Sequence, residues 1–153
     1  MPQPSVVHAT FTIDRTYGAP PARVFAAWAT AEAKARWFAG PDGWQAEIRE
    51  LDFRVGGHER LRGVFPDRRS SDFRANYFDI VPEQRIVYAY EMHMDDRRIS
   101  VSLATIEFRP AGGGTRLVVT EQGAFLDGYD DAGGREQGTR WLLDKVDQAL
   151  RAS

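Results

Sequence analysis

The chain contains no cysteine, which excludes a disulfide framework, a thiolate metal site and a cysteine nucleophile. It also lacks an excess of either charge: 20 Lys+Arg stand against 22 Asp+Glu, a formal net charge of −2 at pH 7. A dedicated nucleic-acid binder concentrates basic residues on one face, so no nucleic acid is expected as partner. No apolar run approaches the roughly 20 residues that span a bilayer, so no membrane span is expected. Met1–Val7 lacks the charged-then-apolar pattern of a signal peptide; residues 1–8 read as a flexible tail and the protein as cytoplasmic. The three histidines, His8, His58 and His93, have no H-x-x-x-H or H-E-x-x-H spacing. Gly112-Gly113-Gly114 is not followed by the Lys-Ser/Thr of a P-loop, and no G-x-S-x-G marks a hydrolase nucleophile. The acidic stretch Asp127–Glu136 does not fit a calcium loop and is better suited to capping the helix after it. No metal, cofactor or catalytic residue is therefore assigned, and a non-enzymatic role is favoured.

What the chain does have is aromatics: four Trp, five Tyr and nine Phe in 153 residues. A chain of this length makes one domain over 1–153 with a sizeable core. Aromatics fill cores, and they also line pockets for apolar ligands.

The periodicity orders the elements. Phe11, Ile13 and Tyr17 alternate with Thr10, Thr12, Asp14 and Thr16, which predicts a half-buried strand from Ala9 to Tyr17. Pro20-Pro21 stops it and opens a helix carrying Val24, Phe25 and Trp28. Thr30 is placed to cap a second short helix with Ala33, Trp37 and Phe38, ended by Gly40-Pro41. Six strands follow near 44–54, 58–65, 72–81, 85–94, 98–109 and 115–122, punctuated by turn formers at hairpin spacing. Without intervening helices they imply an antiparallel meander, with the first strand at an edge or closing the sheet. A phase change in 98–109 predicts a bulge near Leu103-Ala104. From Arg135 to about Ala152 the period becomes 3.6, with Gly138, Leu142, Val146, Ala149 and Leu150 in one stripe and Trp141 beside Lys145 on a flank. The class is α+β: a curved antiparallel sheet of about seven strands around a long C-terminal helix, with two short helices after strand 1.

Several stretches resemble a known family. Ala19-Pro20-Pro21-Ala22-Arg23-Val24-Phe25-Ala26-Ala27-Trp28 resembles the A-P-P-x-x-V-F-x-A-W opening of the Hsp90 ATPase activator homologue family. Trp37-Phe38 matches its W-F. Asp52-Phe53-Arg54-Val55-Gly56-Gly57 is similar to its D-x-R-x-G-G turn, and Ala75–Pro82 with Arg85-Ile86-Val87-Tyr88 to its strand–Pro–strand hairpin. Thr120–Phe125 and Gly138 continue the match, which spans roughly residues 9–150. The resemblance implies the helix-grip, START-like (SRPBCC) fold shared with polyketide cyclases and plant allergen-type carriers, with a cavity between sheet and C-terminal helix. It carries over no catalytic set. Many relatives place Trp after the helix Gly where this chain has Thr139, a smaller side chain that leaves the pocket roomier or lets another aromatic fill it. The eukaryotic co-chaperone has a second, N-terminal domain for which 153 residues leave no room.

Within that frame the candidate ligand-binding residues are the aromatics Trp28, Trp37, Phe38, Tyr77, Tyr88, Tyr90 and Phe125, and the helix residues Arg135, Gly138, Thr139 and Leu142. Gly138 inside a helix costs about 1 kcal/mol relative to Ala, which points to a close approach there. Arg135 and Thr139 within an apolar stripe need water or a polar ligand group, unless Arg135 reaches solvent from the helix start. Glu121 aligns with Leu117 and Val119, and Arg60 and Arg62 are placed to form a cationic lip. The expected function is binding of a small apolar or amphipathic ligand (lipid, polyketide or aromatic metabolite). The alternatives are a cyclase- or hydrolase-like enzyme, with Glu91, His93 or Glu121 turned inward as acid or base, and a protein–protein module. The last would be a chaperone partner or a homodimer built on exposed aromatics such as Trp141.

Overall fold

The computed structural model describes residues 3–152. Seven strands, β1 (Val6–Tyr17), β2 (Gln45–Leu51), β3 (His58–Val64), β4 (Ser70–Val81), β5 (Arg85–Met94), β6 (Arg97–Ala111) and β7 (Gly114–Leu126), form one antiparallel sheet. Their order is β1-β7-β6-β5-β4-β3-β2, so the meander runs across the sheet and β1 returns to pair with its last strand. The helices are α1 (Pro21–Ala29), α2 (Ala31–Ala35) and α3 (Ala132–Ala152). This is the α+β helix-grip architecture, with β1 at an edge.

Local chemistry sets the boundaries. Asp95-Asp96 and Gly112-Gly113 join adjacent strands with positive φ at both residues (52° and 62°, 55° and 84°), the backbone a two-residue hairpin turn needs. Asp95 also accepts a hydrogen bond from the Ser70 amide at 2.9 Å. Pro21 occupies the first position of α1, where its missing N–H costs nothing. Thr30 caps α2 by accepting from the Ala33 amide at 3.1 Å. Asp131 does the same for α3, accepting from the Gly134 amide at 2.7 Å.

Four expectations need correction. β1 begins at Val6, so residues 6–8 of the expected tail are paired strand, because they complete a register reaching Leu126; residues 1 and 2 lie outside the described residues. α2 ends at Ala35, so Trp37 and Phe38 lie in the turn after it. α3 starts three residues before Arg135, at Ala132, because Asp131 provides the cap. The irregularity affecting β6 lies opposite Met92/His93, where Ile99 falls out of register, and not at Leu103-Ala104. Ser100, Ser102, Ala104, Ile106 and Phe108 therefore face inward, while Val101 and Leu103 are exposed on the outer face. Further irregularities at Tyr77/Asp79 and Ala46/Ile48 disrupt the ladder locally, and such bulges bend strands.

α3 is held against the inner face. Leu143 and Val146 are buried with Phe11, Ile13, Tyr17 and Leu117. Tyr17 donates its hydroxyl to the Leu143 carbonyl at 2.8 Å, and Arg15 bonds the Asp144 carboxylate and the Arg140 carbonyl. Those ties anchor the middle of α3 to β1. Toward its N-terminal half the helix stands over β5–β7, and a cavity remains there.

Candidate functional site

The cavity has a volume of about 320 Å³. Its wall is mostly apolar. The sheet contributes Leu61, Phe73, Tyr88, Met92, Ile106 and Val119, and the first helices and the turn after them add Trp28, Trp37, Phe38 and Trp44. The α3 side supplies Gly138, Thr139, Trp141 and Leu142. Among the described residues, no group of His, Cys, Asp or Glu side chains could hold a metal ion.

Gly138 faces this space openly. A Cβ built there meets nothing within 4 Å, which corrects the expectation of a close approach. The missing side chain leaves volume for the cavity. Thr139 is also in the wall, but its hydroxyl donates to the Arg135 carbonyl at 2.9 Å, one turn back in the same helix. That bond satisfies the hydroxyl within the helix.

Two polar stations interrupt the apolar wall. One is built on β5, β7 and the start of α3. Tyr90 donates its hydroxyl to Glu121 Oε1 at 2.6 Å, and Arg135 Nη1 donates to the same Tyr90 oxygen at 2.9 Å. Arg135 is also held by Ser100 Oγ and Asp130 Oδ2, and its guanidinium lies 5.4 Å from the Phe125 ring centroid. It therefore turns inward and does not reach out to solvent. Glu121 is 5% exposed, and burial pushes its carboxyl above the usual glutamate range against the opposing effects of Tyr90 and Arg135.

The other station was not legible as a site in the sequence. Lys34, 3% exposed, extends from α2 and places Nζ 2.6 Å from Glu59 Oε1 and 3.4 Å from the Tyr77 hydroxyl. Tyr77 donates to that same Glu59 oxygen at 2.6 Å. The Lys34 ammonium sits 4.7 Å from the Phe38 ring centroid, with Trp37, Phe73 and Tyr88 each within 6 Å. Spacing carried a usable signal: Lys34, Trp37 and Phe38 stand at i, i+3 and i+4, and Glu59 alternates in phase with buried Leu61.

Of the residues named from sequence, Trp28, Trp37, Phe38, Tyr88, Tyr90, Glu121, Arg135, Gly138, Thr139 and Leu142 all meet in this wall. Tyr77 and Phe125 are buried behind it, supporting Lys34 and Arg135 respectively. Arg60 and Arg62 are not brought to it. Both alternate out of phase with Leu61, lie on the outer face and bond Asp72 there, so they form no lip to the cavity. Glu91 and His93 are likewise on that face, 3.2 Å apart, with Arg98 donating to Glu91. Glu121 is the inward carboxylate among the three acid/base candidates. Trp141, flanked by Lys145 Nζ at 4.3 Å from its ring centroid, lines the cavity while remaining partly exposed.

No helix among the described residues is long and apolar enough to cross a membrane. The model of one protein family, described as activator of Hsp90 ATPase homolog 1-like protein, matches residues 18–151. No curated protein matches significantly. Among solved structures, a protein of Rhizobium leguminosarum is 48% identical, with a TM-score of 0.94 over 99% of this chain and 100% of the other. A protein of Rhizobium loti is 47% identical, with a TM-score of 0.88 over 95% and 99% of the two chains. An AHSA1-like protein of Aeromonas hydrophila, at 20% identity, shares the fold with a TM-score of 0.73 over 94% and 93%.

Proposed function

The chain belongs to the activator of Hsp90 ATPase homolog 1-like family, and from that membership and the cavity's geometry we propose that it binds a small, largely apolar molecule between sheet and α3. The observation that carries this reading is the cavity itself. A packed core of this size leaves few voids larger than a water molecule, whereas about 320 Å³ is the scale of a small-ligand pocket. Aromatic and aliphatic side chains supply the affinity, and the buried polar stations supply orientation. Trp141 stands on the wall as a partly exposed aromatic, a position suited to ligand entry.

The test uses the fluorescent probe 1-anilinonaphthalene-8-sulfonate with wild type and Gly138→Phe. A Cβ at 138 meets nothing within 4 Å, so Gly138→Phe adds a ring to the cavity wall from an uncrowded backbone position. Wild type is expected to bind the probe with one-to-one stoichiometry, and Gly138→Phe to bind it at least about tenfold more weakly while folding normally. Equal binding by the two proteins would place the probe elsewhere and sink the reading.

A second reading, catalysis in the same cavity, has one observation in its favour. Glu121 is a buried inward carboxyl shifted toward neutrality, the state in which it could donate a proton. Turnover of a bound ester or enone by wild type, lost in Glu121→Gln with binding intact, would decide for it.

A further inference from the structure

The two edges of the sheet are built differently. An edge strand presents a row of unpaired N–H and C=O groups, and proteins blunt such rows with short strands, bulges and charges. The β2 edge has all three: it is seven residues long, its register shifts between Ala46 and Ile48, and it carries Glu47, Arg49 and Glu50. The β1 edge runs for 12 residues without proline or lysine, and its register against β7 is unbroken from Val6 to Tyr17. Its carboxylate and its guanidinium are engaged within the protomer, Asp14 by Arg116 at 3.0 Å and Arg15 by Asp144.

One bond fixes which main-chain groups of β1 point outward. The Asp127 amide donates to the Ser5 carbonyl at 2.9 Å, which makes these two a hydrogen-bonded pair, and such pairs recur at every second residue of an antiparallel ladder. Val7, Ala9, Phe11, Ile13, Arg15 and Tyr17 therefore turn their main-chain groups to β7. Val6, His8, Thr10, Thr12, Asp14 and Thr16 turn theirs to the open edge, where none has a hydrogen-bond partner among the described residues. The side chains of these six are all exposed.

A second copy of the chain fits this row. Two antiparallel copies of β1 related by a twofold axis must set outward-facing residues against outward-facing residues, so neighbouring registers differ by two residues. With the axis at Phe11, all six find a partner. Val6 then stands opposite the partner's Thr16, His8 opposite the partner's Asp14, and Thr10 opposite the partner's Thr12. A slip in either direction leaves some of the six unpaired and separates His8 from the carboxylate. One register thus gives both the longest ladder and the charge match, with the imidazole N–H donating to Asp14 and threonines meeting across the axis, pairs that stabilise adjacent strands. We propose that β1 is a homodimerisation edge, two copies pairing it antiparallel about a twofold axis at Phe11 and joining their seven-stranded sheets into one. The inference is independent of the ligand-binding reading, because it uses the sheet's edge and not the cavity.

Sedimentation equilibrium of the full chain between about 1 and 200 µM should show twice the chain mass at the upper end. Thr12→Pro removes an N–H that bonds nothing within the protomer, a substitution edge strands tolerate, and should raise the dimer Kd at least about tenfold. Cross-linking reads the register without breaking the strand. The chain has no cysteine, so Val6→Cys and Thr16→Cys each supply a single thiol. In the proposed register the two positions face each other at a Cα separation of about 5.5 Å, within disulfide reach. Copies of the same position lie ten residues out of step, about 34 Å apart along the strand. Oxidation of a mixture of the two variants should therefore give the mixed disulfide dimer, and either variant alone should stay monomeric on a non-reducing gel. A wild-type monomer across the whole concentration range overturns the inference, and so does a dimer whose mixed thiols stay unjoined. Binding of the fluorescent probe in the cavity should be the same in Thr12→Pro as in wild type, which keeps this test separate from that of the cavity.

Discussion

Gly138 is the residue at which cavity and helix make opposite demands. An interior glycine weakens a helix by about 1 kcal/mol relative to alanine, and here nothing crowds the position to require it. Gly138→Ala should therefore raise the unfolding free energy by about 1 kcal/mol, read from urea denaturation midpoints. A loss of stability would reveal a contact that the open space does not show. Glu121 gives a prediction of different form. Burial raises its carboxyl above the ordinary value of 4.5, so the fold favours the neutral acid. That contribution is complete below the unfolded value and is lost as pH rises through the raised one. Glu121→Gln, which keeps an acceptor for Tyr90 and carries no charge, should gain stability relative to wild type as pH increases from 4 to 8. A difference independent of pH between those limits would contradict it. At this scale the sequence singled out Glu121 and Arg135, which the fold brings together in the cavity wall, because each stands in phase with apolar neighbours on its own element. Lys34 escaped because a lysine on a five-residue helix reads as solvated unless its Trp37-Phe38 neighbours are counted with it.

Among the elements, α2 is the shortest and carries the ammonium of one polar station. Its cap is the Thr30 hydroxyl, and removing such a cap costs typically about 1 kcal/mol. Thr30→Ala should lower stability by that amount and weaken probe binding, because the helix that delivers Lys34 frays. Unchanged binding with reduced stability would show that α2 is held by its aromatic contacts alone. The outer face of the sheet offers an element-scale test remote from the cavity. Asp72, 1% exposed on β4, is pushed up by burial, but Arg60 and Arg74 outweigh that and hold its carboxyl at about 2. A depressed carboxyl stabilises the fold above its unfolded value near 4 and loses that contribution as pH falls to about 2. The shift corresponds to roughly 2 kcal/mol, so acid unfolding of wild type should steepen between pH 4 and 2, and Asp72→Asn should remove that component. Arg60 and Arg62 looked like a cationic lip because one strand's alternation separates two faces without saying which face is inside. Only the pairing of Arg62 with Asp72 and of Leu61 with Phe73 across β3 and β4 makes that assignment.

For the whole molecule, the consequence of a cavity is linkage between ligand and stability. A ligand that binds the folded state alone, at a hundred times its dissociation constant, adds about 2.7 kcal/mol. Thermal unfolding of wild type should move upward with a cavity-binding probe, and Gly138→Phe, binding at least about tenfold more weakly, should gain no more than about half as much; a shift of equal size in both would locate the effect outside the cavity. The order of elements, the antiparallel meander and the α3 stripe were legible from periodicity and turn chemistry, since local spacing dictates which side chains share a face. The family followed from motifs distributed along the chain. Register faults were not legible: the shift beside Met92/His93 moved Ser100 inward and Val101 and Leu103 outward, against the hydrophobic pattern. A strand's phase beyond such a fault is set by its neighbours' hydrogen bonds and not by its own alternation. The sequence by itself thus determined the elements, the class and most of the apolar wall. Tertiary structure alone decided that the wall encloses empty space and that Lys34 meets Glu59 while Tyr90 joins Arg135 to Glu121. Those partners lie 25 to 45 positions apart and meet through sheet pairing and helix docking, which no local pattern encodes.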